Sequence, residues 1–115
     1  MIDNKESDRL LELVLAALDD MKAVDVRVID VRDLTPITDR MVIASGTSTR
    51  HVKALAEHVV EQAKQRGYKP LGVEGETTAE WVLVDLADVV VHVMMPEIRE
   101  FYALEKLWSV GGRNT

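Results

Sequence analysis

In this chain of 115 residues, Ser45-Gly46-Thr47-Ser48 is the stretch best suited to hold an anion. It opens a helical pattern, where free backbone N–H groups and the helix dipole both favour negative charge. It has neither the lysine of a GxxxxGK(S/T) loop nor GxGxxG spacing, so the plainer reading is a strand-to-helix turn with Ser48 as cap. Glu74 and Glu76 would share one side of a continuing strand, and Asp85 comes from another strand. Three carboxylates on a sheet could hold divalent cations for nucleotidyl transfer. Gly75 between the glutamates and the lack of a Lys/Arg cluster to clamp a triphosphate make solvated loop acids the simpler alternative. His51 and His58 stand seven apart, about two helical turns or ~10 Å, too far to share a metal. His92 interrupts an apolar strand and reads as a histidine hydrogen-bonded in place. No Ser/His/Asp arrangement is supported.

The large side chains Trp81, Met94, Met95, Phe101, Tyr102 and Trp108 all fall in the last third. Phe101, Leu104 and Trp108 share one helical stripe, which predicts core, with Tyr102 at its edge. Trp81 opens a strand right after the polar loop Glu74 to Glu80. Trp and Tyr at partly covered positions with Met nearby suit interface anchors as well as core packing.

The elements that must position these residues follow from periodicity. Leu10, Leu11, Val14, Leu15 and Leu18 predict an amphipathic helix capped by Ser7 or Asp8. Val26–Val31 alternates as a half-buried strand, and Met41–Ala44 reads as a more buried one. A second helix spans about Thr49–Gln65, ended by Gly67, and Leu71–Glu74 completes a crossover as a third strand. Trp81–Leu86 and Val89–Met94 are joined by so short a link, Ala87-Asp88, that they must form an antiparallel hairpin. Val89-Val90-Val91 has no polar face, which places that strand centrally. Pro96 starts a last helix, predicted to run to about Trp108 before Gly111-Gly112. The fold class is α/β: a mixed five-stranded sheet flanked by helices in the order αββαβββα, one domain over residues 1–115 with short flexible ends at 1–6 and 110–115.

A net charge of −6 repels phosphate backbones, so direct nucleic-acid contact should be slight and a basic protein surface is the better partner. With no cysteine there are no disulfides or thiolate metal sites. The start MIDNKESDRL fits neither a signal nor a transit peptide, and no apolar run reaches the ~20 residues of a membrane span. A soluble cytoplasmic protein without cofactor is expected.

Three dense blocks carry a resemblance: ITDRMVIASGTSTRHV (37–52), PLGVEGE (70–76), and the final block with WVLVDL, DVVVHVM and FYALEKLW (81–108). Over roughly Leu10 to Trp108 the chain resembles the ribosomal silencing factor family, also called iojap-related. One departure is Ala87, where the family usually has Gly; the expectation is a slightly altered or αR turn, because φ > 0 would cost alanine up to ~1 kcal/mol. The resemblance implies a nucleotidyltransferase-like fold without its catalytic residues, and hence no enzyme. It also implies binding to the large ribosomal subunit through ribosomal protein fourteen. Occupying that face blocks joining of the small subunit and represses translation when nutrients are scarce, as in stationary phase, with a further link to large-subunit assembly. On the hairpin and last helix, Trp81, Leu83, Met94 and Tyr102 are the expected apolar anchors, and Glu76, Asp85 and Arg99 the polar contacts. Two other readings stand beside this one: a nucleotide-binding or nucleotidyl-transferring enzyme using Ser45-Gly46 and the carboxylates, and a homodimer through the same patch in the free protein.

Overall fold

The computed structural model describes residues 4–104 and 106. Three helices, α1 (Asn4–Asp20), α2 (Thr49–Gln65) and α3 (Pro96–Tyr102), accompany five strands. The strands are β1 (Val24–Asp30), β2 (Arg40–Ser45), β3 (Gly72–Glu74), β4 (Trp81–Asp85) and β5 (Val89–Met94). The expected order αββαβββα is the observed one, and the strands form one sheet in the order β1-β2-β5-β4-β3. Only β2 and β5 pair in parallel; the other neighbours are antiparallel. Helix α2 therefore carries the chain from β2 past β5 and β4 to β3 at the far edge. β5 is the middle strand, as its lack of a polar face requires.

The two faces of the sheet are covered differently. Val42, Ala44, Val82, Val84, Val89, Val91 and Val93 point to one side and form a single core with Leu10, Val14, Ala17 and Leu18 of α1 and Val52, Leu55, Ala56, Val59 and Ala63 of α2. Both helices are 17 residues long and amphipathic, so each lays one apolar stripe on this face. Ser48 caps α2 as expected, its Oγ accepting the His51 N–H at 3.1 Å, and Gly67 at φ +88 ends it. On the other side, Val31, Met41, Ile43 and Met94 form a smaller cluster with Ile29, Trp81, Ile98 and Leu104, and α3 has only seven residues to lay over it. Among the described residues, no helix is long and apolar enough to cross a membrane.

Four local expectations are corrected. Helix α1 begins at Asn4, so residues 4–6 are helical and Ser7 is a buried residue within the helix instead of its cap. Helix α3 stops at Tyr102, because Ala103 takes the left-handed conformation (φ 50, ψ 50) and its N–H closes on the Arg99 carbonyl at 2.8 Å. The expected continuation through Leu107 and Trp108 to Gly111 lies outside the described residues. Phe101 is 78% exposed, not in a core stripe, because α3 turns Ile98 and Arg99 toward the sheet instead. At the hairpin, Ala87 has φ 72, not an αR value. The Asp88 N–H reaches back to the Leu86 carbonyl at 2.9 Å, and the Asp85 carboxylate accepts the Ala87 N–H at 2.9 Å, so the turn is held in a left-handed form that suits glycine better.

Candidate functional site

The Ser45–Ser48 turn spends its donors on itself. Besides the capped His51 N–H, the Val52 N–H bonds the Ser48 carbonyl at 2.9 Å, and the Thr47 N–H donates to His51 Nδ1 at 2.9 Å. His51 Nδ1 is thus an acceptor, so Nε2 carries the proton and donates to the Met21 carbonyl at 2.7 Å, tying the end of α1 to the start of α2. Gly46 is required by packing: a Cβ there would fall 2.8 Å from Val52 Cγ2 and 2.9 Å from its backbone N. The Ser45 hydroxyl is buried and accepts from Arg99 Nη1 at 3.0 Å. The geometry is a close strand-to-helix junction. Beside it, between β1 and α3, a groove of about 540 Å³ is lined by Asp25, Arg27, Ser45, Arg99, Glu100 and Lys106.

The three carboxylates are not gathered. Glu74 lies across from Leu83, while Asp85 sits at the far end of β4 across from Gly72. Gly75, at φ +92 with the Trp81 carbonyl 2.1 Å from where a Cβ would stand, turns the chain and sends Glu76 into solvent. Among the described residues no group of three His, Asp or Glu side chains could hold a metal ion. His58 is occupied with Asp20 at 3.1 Å.

The side chains that the structure does bring together are aromatic. Along β4, Val82 and Val84 enter the helix-covered core, so Trp81, Leu83 and Asp85 alternate onto the opposite face, each half-buried. Hairpin pairing sets Trp81 beside Met94 and Leu83 beside His92. The Trp81 indole N–H donates to His92 Nδ1 at 3.0 Å. The Tyr102 ring also packs against the indole, centroids 4.9 Å apart and planes at 50°, and Phe101 meets Tyr102 edge-on at 5.0 Å. Such tilted pairs suit the ring quadrupoles. His92 itself is buried, and burial pushes its pKa down to about 4, so at neutral pH it is the uncharged acceptor this bond needs. A shallow concavity of about 240 Å³ lined by Glu74, Gly75, Trp81 and Leu83 adjoins the row. Tyr102 is 52% exposed, so with Phe101 it leaves an aromatic ridge at the surface, and Glu74 lines the concavity beside Trp81.

Two expected contact residues sit elsewhere. Met94 is fully buried, because pairing with Trp81 sets it beneath the indole and α3; it supports the anchor from below. Arg99 is 6% exposed, with its guanidinium turned inward to Ser45 and 3.8 Å from Asp25, so it fastens α3 to β1 and β2. Sequence reasoning missed Phe101 as a surface residue and His92 as the partner of the indole. The second was within reach: counting outward from Ala87-Asp88 puts Leu83 opposite His92, two pairs along from Trp81 and on the same face.

Comparisons with known proteins agree with this architecture. The family model "Ribosomal silencing factor during starvation" matches residues 4–114. A ribosomal silencing factor of Haemophilus influenzae is 43% identical over 100 residues, covering 87% of this chain and 98% of that protein. The mouse protein named mitochondrial assembly of ribosomal large subunit protein 1 is 38% identical over 103 residues, 87% of this chain and 45% of its own length. A crystal structure of a Chromobacterium violaceum protein superposes with a TM-score of 0.87 at 44% identity, covering 94% of this chain and 88% of that one.

Proposed function

From the premise that the chain belongs to the ribosomal silencing factor family, we propose that it binds the large ribosomal subunit in the cytoplasm through ribosomal protein fourteen and sterically blocks joining of the small subunit. The observation that carries this reading is the aromatic ridge on the less covered sheet face. A half-exposed Tyr102, a clamped Trp81 and Leu83 supply a central apolar contact, with the exposed Glu76 and, at the far end of β4, Asp85 as the proposed polar contacts. Interfaces are commonly built this way, with a few aromatic anchors giving most of the affinity. The net charge of −6 suits a basic ribosomal protein, with the field guiding encounter and the ridge setting register. The mechanism needs no bond chemistry: a body of this size on the joining face excludes the small subunit by volume. A role in large-subunit assembly is compatible with the same contact, and the name of the mouse relative refers to such assembly.

Met94 and Arg99 belong to this proposal as supports. Met94 underlies Trp81, and Arg99 fixes the helix that carries Tyr102. In the free protein a second copy of the chain could cover the same face, and a monomer-only sedimentation profile across micromolar concentrations would remove that arrangement. The groove beside Ser45 keeps nucleotide binding as a second reading, which calorimetry with Mg²⁺ and nucleoside triphosphates would remove if no heat is released.

The direct test is co-sedimentation of the purified protein with isolated large subunits, small subunits and joined ribosomes at moderate and raised salt. Pelleting with large subunits alone, weakening as salt screens the acidic charge, is the expected result. Pelleting with none of the particles would overturn the reading.

A further inference from the structure

We infer that His92 is a positioning residue for ribosome binding: by accepting the Trp81 indole N–H from within the sheet, it fixes the ring against which Tyr102 packs at a tilt. The inference rests on the reading of the open face given above and names what makes that face a rigid surface. Trp81 starts β4, directly after the loop that follows Gly75, where a large ring on an exposed strand end would otherwise turn between staggered positions. Its single polar atom decides among them. The acceptor sits diagonally across the hairpin on β5, the middle strand, bonded to β2 on one side and β4 on the other. His92 is 6% exposed and its ring centroid is 5.9 Å from that of the indole, so the acceptor is immobile. Tyr102 packs on the indole from α3, which Arg99 fastens to Ser45. The indole is therefore held at its N–H by a buried base and packed by the tilted Tyr102 ring.

This arrangement has a consequence for affinity. An anchor already frozen in its bound rotamer does not lose that freedom on association, so the benefit shows mainly as slower release. A histidine that only filled space would be replaceable by any side chain of similar volume, whereas a positioning histidine is replaceable only by one that keeps an acceptor where Nδ1 stands. Asparagine does this through Oδ1 and leucine does not.

The test compares His92→Leu, His92→Asn and Trp81→Ala with the parent, each first verified as folded by circular dichroism. Release from isolated large subunits is timed, and the Trp81 indole N–H is followed by NMR, with Trp108→Phe used to assign it. His92→Leu should release roughly fivefold faster, with its Trp81 indole N–H exchanging quickly with water; His92→Asn should stay within about twofold of the parent. The inference is overturned if His92→Leu releases at the parent rate while Trp81→Ala binds weakly. If Trp81→Ala itself binds like the parent, the interface reading fails and the inference falls with it. Should His92→Leu not fold, the parent spectrum decides: slow exchange and low mobility of the Trp81 indole support the inference, and a freely turning ring overturns it.

Discussion

The two faces of the sheet are made from the same strands, yet one is sealed and the other is equipped. Toward α1 and α2, the strands β2, β4 and β5 present valines and an alanine, with Arg40 at the start of β2 as the exception, its guanidinium donating to Asp8 of α1 at 3.0 Å at the rim of the core. Toward α3, the same strands present Ser45, Trp81, Asp85 and His92 among apolar neighbours, under a helix of seven residues. Long amphipathic helices complete a core; a short one ending in Phe101 and Tyr102 leaves a surface. Stability should therefore respond chiefly to the first face and binding chiefly to the second, with His92 in contact with both properties.

The largest effect should come from breaking the sealed face. Val82→Asp would bury a carboxylate with no partner among the α1 and α2 side chains, at about 4 kcal/mol, and its urea-unfolding midpoint should fall far enough to leave the chain largely unfolded. Next comes proton linkage through His92. Its pKa is lowered from 6.5 to about 4, so folding favours the neutral form. Between those values the unfolded chain holds a proton that the folded chain does not. The associated stability is complete above pH 6.5 and is lost as pH falls toward 4, on the order of 3 kcal/mol in all. Urea midpoints from pH 7 to 4.5 should fall more steeply for the parent than for His92→Asn, and parallel curves would refute the assignment.

On the equipped face, Tyr102→Ala should weaken binding to large subunits by about thirtyfold, as for a central aromatic anchor, while moving the unfolding midpoint little, because half the ring is already in water. Pelleting titrations and urea curves on the same preparation check both halves. The smallest effect sharpens the comparison from outside either face. Ala87→Gly relieves a left-handed alanine in an exposed turn and should raise stability by about 0.5–1 kcal/mol with binding unchanged.

Periodicity made the helix-covered face readable before any coordinates: Val52, Leu55, Ala56, Val59 and Ala63 repeat at helical steps, and Val82 and Val84 alternate with Trp81 and Leu83. The short Ala87-Asp88 link made the hairpin compulsory. The equipped face was readable only in part, for a physical reason. Whether Phe101 points in or out depends on which face α3 lays on the sheet, and where α3 stops depends on Ala103 adopting a left-handed conformation that alanine does not advertise. Whether Met94 and Arg99 reach solvent depends on what lies above them, which is a matter of tertiary packing and not of local pattern. The carboxylates shared types with a metal site, but Gly75 turns the chain between two of them.

The account turns on Trp81. Parent protein and a folded Trp81→Ala variant should each be added to isolated large subunits before small subunits, with joining followed by light scattering. The parent should suppress joining and Trp81→Ala should not; equal suppression by the two would contradict the assignment of this face as the binding surface.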